Sequence, residues 1–154
     1  MMLSIAREIS KNPLANHSVL FIAFAGEEIG LEGSTAFVNS NIIDLKKISL
    51  VLNLDILGSG EDGITVVNGS VFPKFYSLLN ELNIVRQAVP IVKSRGKAAN
   101  SDHYPFSEKG VPSIFVYTMG PNKNYHDIND TYQNLTFDRF ESLYYLFIDF
   151  LYRL

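Results

Sequence analysis

Four side chains that could bind a cation or move a proton follow apolar stretches of the sequence. Glu27 and Glu28 come directly after the apolar run Val19–Ala25, Asp55 interrupts a second apolar run, and His126 lies in a loop after a third. Adjacent carboxylates at the end of a buried strand are costly unless a cation compensates their charge. Carboxylate and imidazole are the ligands that zinc and similar divalent ions take in proteins. The pattern therefore indicates a centre that binds a divalent cation.

Each of these residues also has an ordinary structural explanation. Glu27 or Glu28 could pair with a lysine or cap the following helix. Asp55 could accept hydrogen bonds from loop amides, and a single loop histidine such as His126 is more often structural or solvated. The coincidence of all four at strand ends favours a common site. His17, in a polar turn, has no chemical neighbours and is interpreted as structural.

The elements that must position these side chains alternate between strand-like and helix-like patterns. Strands are predicted at the apolar or β-branched runs Val19–Ala25, Ile48–Leu57, Ile64–Val67 and Ser113–Tyr117. Helices are predicted at Leu3–Ile9, Gly33–Asn41, Phe72–Val85 and Thr136–Leu154, with a polar loop at Ser94–Ser101. The alternation predicts a three-layer α/β fold, a doubly wound, mixed and mostly parallel sheet with helices on both faces. Ligands bind at the carboxyl ends of strands in such sheets, where the acidic residues and the histidine fall.

Length and composition limit the classes of protein that need consideration. The 154 residues suit one domain, and 47% hydrophobic with 19% charged residues is ordinary for a globular protein. The absence of cysteine excludes disulfide scaffolds, thiolate zinc sites and cysteine nucleophiles. The net charge is −3, whereas nucleic-acid-binding proteins carry a basic surface. No apolar run approaches the ~20 residues of a membrane span.

Two short motifs suggest other chemistry but lack its context. Gly58–Gly63 matches a dinucleotide-binding fingerprint, yet a β-branched run follows it where a helix is required, so it is interpreted as a hairpin-like turn. The sequence Ser101-Asp102-His103 contains the residue types of a catalytic triad. Neighbours in sequence do not form one hydrogen-bonded relay, and the chain has no G-x-S-x-G elbow.

Five blocks in a fixed order, spanning nearly the whole chain, resemble the dinuclear zinc exopeptidase family. They are Phe24-Ala25-Gly26-Glu27-Glu28-Ile29-Gly30-Leu31-Glu32-Gly33-Ser34, Asn53-Leu54-Asp55, Ser101-Asp102-His103-Tyr104-Pro105-Phe106, Gly110-Val111-Pro112, and Tyr125-His126 with Asp130-Thr131. The family includes bacterial leucyl-type aminopeptidases, glutamate carboxypeptidase, glutaminyl cyclases and the catalytically silent transferrin receptor. Each block is weak alone, and the five in order are specific.

The resemblance implies a role for each site residue. Glu27 is the general base that takes a proton from a metal-bound water. Glu28 and His126 are ligands of one zinc, and Asp55 is a ligand of the other. Tyr125 donates a hydrogen bond to the developing oxyanion. The implied activity is an aminopeptidase-type metallohydrolase acting on peptide substrates.

Three further residues receive supporting roles from the same resemblance. Asp130 lies near His126 outside the ligand set. Asp102 and His103 shape the floor of the site and are not counted as ligands.

The sequence departs from the family pattern because two of that family's metal-binding segments are absent from these 154 residues. The family also uses an earlier His-x-Asp segment and a bridging Asp, followed by a helix that Met1–Ser10 resembles. We therefore expect residues 1–154 to be one N-terminally truncated catalytic domain with an incomplete zinc site and low activity by itself. An exposed sheet edge would favour a homodimer. Because relatives in this family are often exported, we expect a full-length parent to be exported.

Two alternative functions stay open at this point. A glutaminyl cyclase would use a related site with one zinc. A non-catalytic interaction domain would keep the fold and lose the site, but such a domain has no reason to keep Glu27, Glu28, Asp55 and His126 together.

Overall fold

The computed structural model describes residues 1–154 and contains a mixed four-stranded sheet. The strands, in chain order, are β1 (Val51–Leu54), β2 (Gly63–Val67), β3 (Val92–Ser94) and β4 (Ser113–Met119). Their order across the sheet is β1-β4-β2-β3, with β1 parallel to β4, β2 antiparallel to β4, and β3 parallel to β2. The helices are α1 (Met2–Lys11), α2 (Glu32–Asn39), α3 (Pro73–Arg86), α4 (His103–Glu108) and α5 (Phe140–Tyr152).

Helices cover both faces of the sheet, which confirms the predicted fold class. The main core joins α1, α3 and α5 to the strands, and α5 contributes the fully buried residues Leu143, Leu146, Phe147 and Phe150. Their spacing places them on one side of the helix, and burying each contributes roughly 1.5–3 kcal/mol. A smaller cluster of Val38, Phe106 and Val111 packs α2 and α4 against the opposite face. No helix has the length and apolarity needed to cross a membrane.

The prediction of a doubly covered strand at Val19–Ala25 is wrong in one respect. The segment forms no ladder with another strand and has no regular secondary structure, and it is only partly buried, with Leu20 61% exposed. Its side chains still enter both layers, since Phe21 packs on the main core and Phe24 on the smaller cluster. The apolar sequence therefore marks a segment that packs against both core clusters without joining the sheet.

Most other elements fall where the sequence patterns place them, with shifted ends. The regular part of Ile48–Leu57 is β1, and the last helix begins at Phe140 rather than Thr136 because Phe137 adopts φ +53°. The two short elements β3 and α4 were not predicted. Gly58–Gly63 is a turn that leads into a strand, but β4 separates the strands on either side of it, so it is not a hairpin.

Candidate metal centre

Glu27 and Glu28 lie on a tight turn between the extended segment and α2. Two glycines shape this turn, for different reasons. Gly26 has φ +70°, a conformation that side chains rarely adopt. Gly33, in the first turn of α2, lies so close to the preceding segment that a Cβ atom there would be 2.4 Å from the Ala25 carbonyl oxygen. The spacing of these glycines therefore holds both carboxylates at the end of the segment.

His126 reaches Glu28 across the molecule, from a loop after β4. Its Nε2 atom lies 3.1 Å from a carboxylate oxygen of Glu28, although 98 residues separate the two in sequence. The backbone of His126 is left-handed, with φ 60°, and its ring stacks on Tyr125 at 3.9 Å between centroids. Both side chains are exposed, so this pair of donors faces solvent.

Asp55 follows β1 directly and is held by a side-chain relay. Ser101 donates its hydroxyl to Asp55 Oδ2 at 2.9 Å and accepts a hydrogen bond from Asn53 Nδ2 at 2.7 Å. Ser101 is 1% exposed, so the relay is shielded from water. Sequence analysis assigned no role to Ser101, although it lies in one of the five blocks of the resemblance. The usable signal was the alternation of β1, which places Asn53 and Asp55 on one face of the strand.

Negative charge gathers around Glu27. Its pKa is raised above the ordinary value, first by burial and then by the carboxylates of Asp55, Glu28 and Asp102, while His126 lowers it slightly. Asp102, expected only to shape the site floor, therefore adds to this charge, and its Oδ1 atom is buried without a hydrogen-bond partner.

Tyr125 shares the same surroundings. Burial, followed by the charges of Glu28, Glu27 and Asp55, raises the pKa of its phenol above the ordinary value. The hydroxyl is therefore protonated at neutral pH, as for an ordinary tyrosine, and can donate a hydrogen bond. The side chain is nevertheless 58% exposed, so it is accessible to a molecule bound beside His126.

The residue types present suit a divalent cation, but their number around any one point is too small for a complete site. The ion pairs of the chain are Arg86–Asp149, Lys97–Glu108 and His126–Glu28, so no lysine or arginine balances the clustered acids. A cation would relieve their repulsion, and carboxylate with imidazole suits zinc. No three histidine, aspartate or glutamate side chains converge around one point. The geometry provides a two-donor pair and, separately, Asp55.

The fold and this cluster define an α/β protein with a carboxylate–imidazole centre at the carboxyl ends of two neighbouring parallel strands. Comparison with known families then identifies it: the chain belongs to peptidase family M28, whose model matches residues 1–151. The resemblance drawn from the five sequence blocks is thereby confirmed.

Individual relatives agree with this family. The chain is 27% identical over 135 residues to leucine aminopeptidase 1 of Colletotrichum graminicola, an alignment that covers 80% of this chain and 34% of that protein. A zinc aminopeptidase from Bacillus subtilis superposes with a TM-score of 0.78 at 23% identity, over 99% of this chain and 39% of the other. A glutaminyl cyclase from Porphyromonas gingivalis superposes with a TM-score of 0.70 at 17% identity, over 97% and 58%. The chain thus spans about a third of the length of the aminopeptidases it matches.

Proposed function

We propose that this chain is part of a zinc-dependent aminopeptidase-type hydrolase that removes residues from the N-termini of peptides. The observation that supports it most is the contact of His126 with Glu28, 3.1 Å apart, beside the half-buried carboxylate of Glu27. Membership of peptidase family M28 supports a peptide as the substrate class. The aminopeptidase names of several relatives favour the N-terminus as the point of attack.

The proposed roles follow the chemistry of each group. Glu28 and His126 would hold one zinc ion and Asp55 a second. Zinc in such a site acts as a Lewis acid and lowers the pKa of a coordinated water to about 7. Glu27 would accept a proton at its carboxylate and return it to the leaving amine, a task that its raised pKa favours. The Tyr125 hydroxyl would donate a hydrogen bond to the substrate oxygen where negative charge develops.

We further propose that these 154 residues alone supply too few ligands for tight binding. Zinc sites in proteins normally use three or four side chains. The Glu28–His126 pair provides two, and Asp55 provides one, so zinc affinity and turnover of the isolated chain should both be low.

The test measures zinc binding and hydrolysis together. Zinc binding by the purified chain is followed by isothermal titration calorimetry, and hydrolysis by aminoacyl-p-nitroanilide cleavage. Glu27→Gln should abolish residual hydrolysis and keep zinc affinity, whereas Glu28→Gln should reduce both. Glu81→Gln, an exposed acid on α3, is the matched control and should change neither. Undiminished hydrolysis by Glu27→Gln would contradict the role of Glu27, and two tightly bound zinc ions would contradict the incomplete site.

A glutaminyl cyclase is the alternative that the same assay series separates. Cyclisation of an N-terminal glutamine releases ammonia, so a peptide that begins with Gln loses 17 Da without losing a residue. Release of the first amino acid supports the aminopeptidase, and ammonia loss without release of a residue supports the cyclase.

We also propose that the sheet edge at β1 allows a second copy of the chain to bind. β1 is the outermost strand on its side of the sheet, and the segment Val19–Phe24 has unpaired backbone groups and the exposed side chain of Leu20. Unpaired extended edges readily pair with another chain. This proposal is independent of the catalytic one.

A further inference from the structure

The end of β1 contains an irregularity next to Asp55. Leu54 lies opposite Val116 of β4, and the Asp55 N–H still donates to the Val116 carbonyl at 3.4 Å. In a continued parallel ladder, the Thr118 N–H would bind the carbonyl of Asp55. It binds the Ile56 carbonyl instead, at 3.0 Å. One residue is therefore bypassed, in the manner of a β-bulge, a feature that redirects side chains beside functional sites.

Ile56 takes an unfavourable backbone conformation to make this bulge. Its φ is +53°, where a β-branched residue is an outlier because of crowding at Cβ. The side chain is 41% exposed, so packing alone does not hold it there. A strained conformation persists only when its surroundings enforce it.

Thr118 supplies that enforcement. Its hydroxyl donates to the same Ile56 carbonyl at 2.7 Å, so both donors of one residue bind one oxygen. The hydroxyl oxygen also lies 3.3 Å from that of Ser59. Because the Thr118 proton is directed to Ile56, Ser59 is the donor of this second bond. Thr118 and Ser59 are both buried, which protects these bonds from competition with water.

We propose that Thr118 is a positioning residue for Asp55. By clamping Ile56 in the left-handed conformation, it sets the direction in which the Asp55 carboxylate leaves the strand, while Ser101 fixes one of the carboxylate oxygens. The inference rests on the proposed function, because it assigns Asp55 to cation binding. Neither Thr118 nor Ser59 would touch the cation or the substrate.

A first experiment tests the clamp without any metal. The isotopically labelled chain is compared with Thr118→Val, Thr118→Ser and Thr65→Val by NMR. Thr65 is the matched control because it is a buried threonine of the neighbouring strand β2 whose hydroxyl contacts Met119 instead. The three-bond HN–Hα coupling and the carbon shifts of Ile56 report its φ. Ile56 should leave the left-handed conformation in Thr118→Val alone, and its retention there would overturn the proposal.

A second experiment measures zinc affinity by calorimetry in the same variants. Loss of a group that orients a ligand typically costs 10–100-fold in metal affinity, so Thr118→Val should bind zinc about tenfold or more weakly. Thr118→Ser keeps the hydroxyl and should restore binding to within about threefold of the parent chain, as should Thr65→Val. Unchanged affinity in Thr118→Val, with zinc binding intact in the parent, would overturn the positioning role and leave the proposed function standing. Absence of measurable zinc binding by the parent chain would agree with its incomplete ligand set, and the NMR result alone would then decide the clamp.

An Ile56→Gly background keeps the test decisive if Thr118→Val alone does not fold. Glycine adopts positive φ without a Cβ penalty, so the clamp matters less there. Adding Thr118→Val to Ile56→Gly should change zinc affinity by less than about threefold, against about tenfold with Ile56 present. Equal losses in the two backgrounds would show that Thr118 acts by another route.

Discussion

At the residue scale, His103 shows how a buried polar group couples stability to pH. The side chain is fully buried beside Phe115, and neither ring nitrogen has a hydrogen-bond partner. Burial lowers the pKa of His103 from 6.5 to about 4. The nearby backbone of Ala98 and Ser101 offsets only part of this effect, because its geometry does not make a hydrogen bond to either nitrogen. The folded protein therefore keeps the ring neutral where the unfolded chain would protonate it.

The sign of the resulting pH dependence follows directly. Between the two pKa values the unfolded state binds more protons, so stability is complete above pH 6.5 and falls as the pH is lowered toward 4. The loss should be on the order of 3 kcal/mol, measured by urea unfolding at a series of pH values. His103→Leu should remove most of this dependence, and the exposed His17→Asn should leave it in place. A parent chain with the same stability at pH 7 and pH 4.5 would contradict the assignment.

For Glu27, the pH dependence of the folding stability has the opposite sign, and the residue stabilises the fold less than a neutral side chain would at neutral pH. Because its pKa is raised, its contribution to stability is present below its ordinary pKa and is lost as the pH rises through the raised value. Glu27→Gln should therefore stabilise the chain at pH 7 by roughly 0.5–1 kcal/mol, the scale of a partly exposed charge interaction, and by less at pH 4. Thermal unfolding monitored by circular dichroism at both pH values would measure it. Glu81→Gln, on the exposed face of α3, should show no such gain.

At the element scale, the C-terminus of α3 contains a residue whose replacement should stabilise the fold. Asn83 is buried and bonds both the N–H and the carbonyl of Val89, each at 3.0 Å, which fixes the chain as it leaves the helix. Between them Gln87 takes the left-handed conformation, φ 53°, that commonly ends helices. Glycine adopts this conformation at little cost, so the position is suboptimal for glutamine.

Gln87→Gly should stabilise the chain by about 0.5–1 kcal/mol through relief at this residue. Gln87→Val should destabilise it, since a β-branched residue is poorly tolerated at positive φ. The free energy of unfolding in urea measures both changes. Equal stability of the glycine and valine variants would show that the left-handed conformation is not what limits this helix end.

The elements that sequence patterns located are those with long periodic or apolar runs. α5 buries a regular stripe of side chains, and α3 packs partly buried apolar residues on the same core. β4 is an apolar run buried along most of its length. β3 and α4 were missed because three and six residues are too few to show a period. The start of α5 was misplaced because nothing in the local sequence announces the left-handed Phe137.

In the candidate site too, features with a local sequence signal were predictable and features made by tertiary contacts were not. The proximity of Glu27, Glu28 and Asp55 was predictable, because charge at the end of an apolar run is conspicuous. The relay through Ser101 was not, since it depends on a contact between residues 46 positions apart. The clamp of Thr118 on Ile56 was equally hidden, because a left-handed isoleucine has no local signature and arises from tertiary hydrogen bonds.

At the scale of the whole molecule, the sheet is unevenly protected at its two edges. β3, at one edge, is only three residues long and carries Lys93, features that discourage pairing with another chain. The opposite edge strand is β1. The segment Val19–Ala25, which we assign to this edge in the proposed dimer, lacks charged residues and leaves Leu20 61% exposed. Self-association is therefore expected through this second edge.

A charge placed on that edge should oppose self-association. Leu20→Lys should weaken dimerisation at least about tenfold, equivalent to about 1.4 kcal/mol, measured by sedimentation equilibrium over a range of concentrations. Leu3→Lys is the matched control, because Leu3 is a leucine 82% exposed on α1, outside the sheet edge, and its replacement should leave the dimerisation constant unchanged. Circular dichroism of both variants should match the parent, since neither leucine lies in the buried core. A parent chain that stays monomeric at every concentration, or equal effects of the two substitutions, would exclude this edge as the contact between copies.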